Sequence, residues 1–124
     1  MTSTLQLKKR QLVFCDFHGM VIPEMVKIRP VIVVSPRYRH GLCTVVPIST
    51  VVPDKIKGWH YQLPTESLPT SLRVKDCWAK CDMITSVATS RLDRVRNNGK
   101  YVNFLIKEDD FAAIVAGIKL FFEL

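Results

Sequence analysis

Arg29 stands one residue before the apolar run "PVIVVS", Pro30 to Ser35. A guanidinium held at the edge of a rigid strand offers five donors in a planar fork that suits phosphate oxygens, and the same position also suits a rim salt bridge, for example to Glu24. Ser49 and Thr50 close the next apolar run, "TVVPIST". Hydroxyls at a strand end ordinarily bond nearby backbone groups. The histidines, His18, His40 and His60, are scattered, and their spacing argues neither a Ser-His-Asp nor a Cys-His arrangement. His40 ends the polar turn "RYRH" and reads as solvated, whereas His18 follows an apolar stretch beside a long loop and is the histidine placed to serve a site. Cys77 and Cys81 are four apart, and Cys15 and Cys43 sit alone in apolar runs. That spacing fits small buried thiols in a reducing compartment better than a zinc site, which more often uses two-residue spacers.

The elements that must position these residues are short strands and one helix. "QLVFCDF", residues 11 to 17, is rich in β-formers and predicts a first strand after a polar N-terminal stretch, residues 1 to 9, expected to be flexible. Gly19 and Pro23 break the pattern in "HGMVIPEMVKI" and predict a long loop. "PVIVVS" and "GLCTVVPI", separated by a short polar turn, predict an antiparallel hairpin at the centre of a sheet. "WHYQL" predicts a further hairpin strand, "PTESLPTSL" an irregular connector, and "DCWAKCDMI" another strand. The Asn-Gly step in "NNGK" predicts a tight turn. Phe111, Ile114, Val115, Ile118, Phe121 and Phe122 recur at helical spacing behind Glu108, Asp109 and Asp110, whose charge favours a helix N-terminus. The fold class expected is mainly β with a C-terminal helix lying on the sheet. No strand, Gly-rich loop and helix unit occurs, which excludes the phosphate-loop and dinucleotide-binding readings.

A chain of 124 residues is expected to form one domain, and roughly two-thirds of its unfolded surface can be buried. Apolar residues make up 48% and charged residues 23%, a globular composition. The formal charge of +7 admits nucleic acid, an acidic protein or an anionic surface as partner. It is uneven: Lys8, Lys9, Arg10, Lys27, Arg29, Arg37 and Arg39 meet only Asp16 and Glu24 within the first 40 residues. No stretch approaches the ~20 apolar residues that span a bilayer, and the N-terminal charges follow the apolar residues, opposite to a signal peptide. A cytoplasmic protein without membrane partners is expected.

The ordered series "QLVFCDF", Glu24, "KIRPVIVVSP", "TVVPIST" and "AKCDMITSV" resembles the MazF/PemK/Kid family of toxin endoribonucleases from toxin-antitoxin pairs. The resemblance runs motif by motif over residues 10 to 96. It implies a small SH3-like β-barrel with a C-terminal helix, a homodimer, a cognate antitoxin, DNA binding by the toxin-antitoxin complex, and cleavage of single-stranded RNA or mRNA with no metal or other cofactor. By resemblance, Arg29 matches the arginine of the family's R-P motif, Ser49 the hydroxyl after its V-P-x motif, and Glu24 the glutamate before R-P. Lys80, Cys81 and Asp82 match an R-C-D motif in which lysine has replaced arginine, which loses the bidentate fork. Pro23 stands where one branch has a loop histidine.

Metal-free RNA cleavage uses the substrate's own 2′-hydroxyl, so the protein must remove one proton, supply another and stabilise a dianionic phosphorus centre. Asp82 is the expected base, Arg29 the phosphate clamp and candidate acid, Lys80 an electrostatic support and Ser49 a donor to phosphate. The acid and base roles of Arg29 and Asp82 stay open to exchange. Substrate grip falls to Lys27, Lys55 and Lys57, with Thr50 and Glu24 alongside and Phe17 or His18 as stacking faces. Two other readings share the fold: a toxin that poisons a protein target, as the gyrase-binding CcdB toxins do, and a degenerate module that binds only antitoxin or DNA.

Overall fold

The structure, a computed structural model, describes residues 6–22, 25–36 and 41–124. Glu24 with Pro23, the "RYRH" turn with His40, and residues 1–5 of the stretch expected to be flexible lie outside the described residues. Along the chain run β1 (Gln11–Asp16), β2 (Ile28–Ser35), β3 (Leu42–Ser49), β4 (His60–Leu63), β5 (Cys77–Lys80), β6 (Thr85–Ala88), β7 (Leu92–Asn97), β8 (Lys100–Val102), β9 (Phe104–Leu105) and α1 (Glu108–Phe122). Every pairing is antiparallel. The path β4-β5-β3-β2-β1-β7-β8, with β6 on β3 and β9 on β1, has two ends among the described residues. The architecture is therefore the expected β sheet with a C-terminal helix, in barrel-like form without ring closure.

β2 and β3 read as continuous apolar runs because both of their faces are covered. One face carries Leu12, Ile32, Val46, Ile48, Ala79 and Cys81 against Ile114 of the helix. The other carries Val13, Cys15, Phe17, Val31, Val33, Cys43 and Val45, packed with Val87 and Leu92. Each fully buried Val, Ile or Leu contributes about 1.5–3 kcal/mol, so this pair of strands anchors both cores.

The strand expected over "DCWAKCDMI" stops at Lys80 and gives way to a 3₁₀ turn, Cys81–Met83, before β6 begins. Cys81 turns under the helix, where its Sγ donates to the Ile114 carbonyl at 3.4 Å. Gly117 makes this approach feasible: a Cβ there would lie 2.9 Å from Cys81 Sγ and 3.1 Å from the Trp59 carbonyl oxygen. The Asn-Gly expectation holds, with Asn98 at φ 54° and Gly99 at φ 80° joining β7 to β8, both positive as a type I′ turn requires. The acidic start of α1 is also as expected, except that Asp110 is 4% exposed and accepts the Tyr61 hydroxyl at 2.5 Å. No helix among the described residues is long and apolar enough to cross a membrane.

All four cysteines are free and buried. Burial pushes the thiols of Cys15, Cys43 and Cys81 up from 9.0 to about 11. Burial, with the Asp110 hydrogen bond second, raises Tyr61 from 10.0 to about 12. In each case the fold favours the neutral form, so the unfolded chain loses protons first as pH rises. Stability is expected to be intact below pH 9 and to fall progressively between pH 9 and about 12, as urea unfolding at stepped pH would record. Gly117→Val should lower unfolding free energy by about 2 kcal/mol or more through overpacking against Cys81, measured in the same urea experiment at neutral pH.

Candidate functional site

The β2–β3 ladder pairs Val31 with Pro47, Ile32 with Val46 and Val33 with Val45. Continuing that register by two residues sets Arg29 against Ser49 at one end of the two strands. On its other side β3 pairs Ser49 with Trp78, and β5 in turn pairs Trp78 with Gln62 and Lys80 with His60. Residues directly opposed in a sheet share a face, as do alternate residues along a strand. Arg29, Ser49, Trp78, Lys80 and His60 therefore occupy the face turned away from α1, while Ile48, Ala79 and Cys81 form the core beneath the helix.

Ser49 Oγ accepts the Val51 N–H at 3.0 Å, the local backbone bond expected of a hydroxyl at a strand end. Because Oγ acts there as acceptor, the hydroxyl proton is left to donate. Arg29 and Lys80 are half-buried. The described ion pairs join Arg10 to Glu108 and His60 to Asp82, which leaves Arg29 and Lys80 without an anionic partner among the described residues.

Asp82 sits in the turn after β5 rather than on a strand. Its Oδ1 lies 3.7 Å from His60 Nε2, with the two side chains 31% and 8% exposed. His60 Nδ1 accepts the Lys57 N–H at 3.0 Å, so a neutral ring carries its proton on Nε2, toward Asp82. Oδ1 is buried without a hydrogen-bond partner, so the carboxylate keeps unused acceptor capacity. His60 was not legible as a site residue, because its meeting with Asp82 depends on the β4–β5 pairing. The available signal was its place at the head of the "WHYQL" strand.

The β1–β2 loop is closed by Phe17, whose N–H donates to the Lys27 carbonyl at 3.2 Å as an extension of the ladder. Phe17 is 1% exposed and packs in the core of that face, where it lines a cavity with Met20 and Met25, so its ring offers no exposed stacking platform. This corrects its assignment as a stacking face. His18 is exposed, with its N–H on Asp16 Oδ1 at 2.9 Å. Arg91, which no sequence motif marked, donates from Nη1 to the carbonyls of Asp16 at 2.7 Å and His18 at 2.8 Å and so fixes the loop's first turn. Lys27, Thr50, Lys55 and Lys57 are exposed. No group of three or more His, Cys, Asp or Glu among the described residues could hold a metal ion. Because two charge-assisted bonds are lost together, Arg91→Ala should speed amide exchange at Phe17 to Met20 about tenfold or more, followed by hydrogen–deuterium exchange.

Residues 8–122 match the family described as PemK-like, MazF-like toxin of type II toxin-antitoxin system. Among curated proteins, the uncharacterized protein YifN of Escherichia coli K12 is 35% identical over 92 residues, 70% of this chain and 61% of YifN's length. The chain thus spans about three-fifths of that relative. Among solved structures, MazF from Deinococcus radiodurans superposes with a TM-score of 0.68 at 19% identity, covering 95% of this chain and 97% of that one. A mycobacterial endoribonuclease in complex with its cognate antitoxin gives a TM-score of 0.66 at 15% identity, with coverage of 96% and 97%. At these identities the structural likeness shows the fold, while the sequence match spans nearly the whole length: this chain belongs to the PemK-like, MazF-like toxins of type II toxin-antitoxin systems.

Proposed function

We propose that this toxin is a metal-independent, sequence-specific endoribonuclease that cleaves single-stranded RNA, mRNA included, through the 2′-hydroxyl. The observation that carries the reading is the common register of β2, β3, β5 and β4. It gathers an arginine fork without an anionic partner among the described residues, a hydroxyl with its proton to donate and a lysine on one face, with the His60-supported Asp82 at the adjoining turn.

In the proposed reaction Asp82 takes the proton from the 2′-hydroxyl, whose oxygen attacks the adjacent phosphorus. The new bond is P–O2′ and the bond broken is P–O5′, which yields a 2′,3′-cyclic phosphate and a 5′-hydroxyl. Arg29 holds the non-bridging oxygens and donates toward the departing 5′-oxygen. Lys80 adds positive potential and Ser49 a hydrogen bond, both strongest when the phosphorus centre carries its extra charge. Lys27, Lys55 and Lys57 hold neighbouring phosphates, with His18, Thr50 and Glu24 as further RNA contacts. A homodimer and a cognate antitoxin complete the proposal. An acidic antitoxin segment would fold on the same basic face and exclude RNA.

Purified protein incubated with a long defined RNA in the presence of chelator should give discrete cuts with 5′-hydroxyl ends. Arg29→Ala should abolish cutting, and Asp82→Asn should slow it by about 10²–10⁴-fold. RNA left intact by the wild-type protein would overturn the reading.

A further inference from the structure

Two backbone groups of Lys57 fix His60 before any substrate arrives. The His60 N–H donates to the Lys57 carbonyl at 3.0 Å, and the Lys57 N–H donates back to His60 Nδ1 at 3.0 Å. The side chain is 8% exposed, and its ring stands 6.0 Å from that of Trp59, centroid to centroid. With Nδ1 occupied, a neutral ring carries its proton on Nε2. That atom lies 3.7 Å from Asp82 Oδ1. The turn before β4 needs only Nδ1, so the aim of Nε2 at the carboxylate is a separate feature of the site.

The carboxylate is divided to match. Its Oδ1 is buried with no hydrogen-bond partner among the described residues, while the side chain as a whole is 31% exposed. The exposure therefore lies on the other atoms of the group, and Oδ2 is the oxygen left to take a proton from substrate. A separation of 3.7 Å exceeds an ordinary hydrogen bond by about 0.5–1 Å, and catalytic bonds that are long in a free protein tighten when substrate binds. Lys80 pairs with His60 across the β4–β5 ladder. The lysine brings charge to this face without a planar fork, and the imidazole opposite it brings a planar N–H in a fixed direction.

We infer that His60 is a positioning residue: its Nε2–H closes on Asp82 Oδ1 when RNA binds and holds the carboxylate with Oδ2 turned to the 2′-hydroxyl. The inference rests on the proposed ribonuclease function and adds to it the group that aims the base. The proton leaving the 2′-hydroxyl passes to Asp82 Oδ2 and no further. His60 keeps its own proton throughout, since its Nδ1 is taken by the Lys57 N–H.

Two substitutions separate the ring's two nitrogens. Glutamine sets an amide N–H near the place of Nε2 and gives up the bond at Nδ1, whereas asparagine keeps an acceptor near Nδ1 for Lys57 and gives up the donor. Cleavage of an RNA that contains the mapped cut is followed for both variants, with urea unfolding of each as the control on the fold. His60→Asn should lower kcat about 10–100-fold with KM within about twofold of wild type, and His60→Gln should keep kcat within about threefold. A second readout needs no variant: in protein labelled with ¹⁵N at histidine, the His60 Nε2–H resonance should move downfield on adding the same RNA made uncleavable by a 2′-deoxynucleotide at the attacking position. The reverse order of the two variants, equal losses in both, a change in KM alone, or an unmoved resonance would overturn the positioning role while leaving the nuclease reading intact. Wild-type protein that cuts no RNA would overturn the nuclease reading and this inference together.

Discussion

The pairing of β2 with β3 is the constraint on which the other parts rest. Val31 and Val33 face one core and Ile32 the other, with Val45, Pro47 and Val46 answering them across the ladder. With apolar residues buried on both faces, either face alone would resist a slip, and a shift by one residue would send each side chain to the wrong side. The register at the end of the strands is consequently fixed by packing far from it. Arg29 and Ser49 inherit their backbone positions from valines and isoleucines, and Arg29 has no ion pair among the described residues.

The sheet then separates its labours by face. The helix side is closed, with Ile114 and Cys81 fully buried and Asp110 bonded to Tyr61. The opposite side mixes a small apolar core with polar side chains at its margin, and its loops are pinned by specific bonds. Arg91 clamps the turn after β1, and the backbone of Lys57 fixes the ring of His60. The Arg91 pin comes from 73 to 75 residues away along the chain, whereas the Lys57 pin is local to the turn before β4.

That distribution explains what was readable from the residues alone. The runs 30–35 and 41–48 announced themselves because burial on both faces demands unbroken apolar sequence, and the helix because its apolar residues keep a 3.6-residue period. β7 was hidden: in "LDRVRN" only Leu92 and Val95 are buried, a spacing of three that resembles neither alternation nor a run. Asp82 was legible as a residue by motif resemblance, but its setting was not, because the 3₁₀ turn exists only where Cys81 meets the helix. His60 and Arg91 were missed for the same reason: the groups they touch are brought near by strand pairing and not by sequence. Phe17 misled because an aromatic at the end of a strand looks exposed until the loop beyond it folds back over the sheet.

The contact between Gly117 and Cys81 ties these two sides together. Hydrogen in place of a side chain lets the helix backbone rest on the sulfur and on the Trp59 carbonyl, and Trp59 and Cys81 are the chain neighbours of His60 and Asp82. The helix is thus a bearing seated without clearance on the two segments that carry the histidine–aspartate pair. A side chain added at that point of the helix would push on the two segments beside the histidine–aspartate pair from the far side of the sheet.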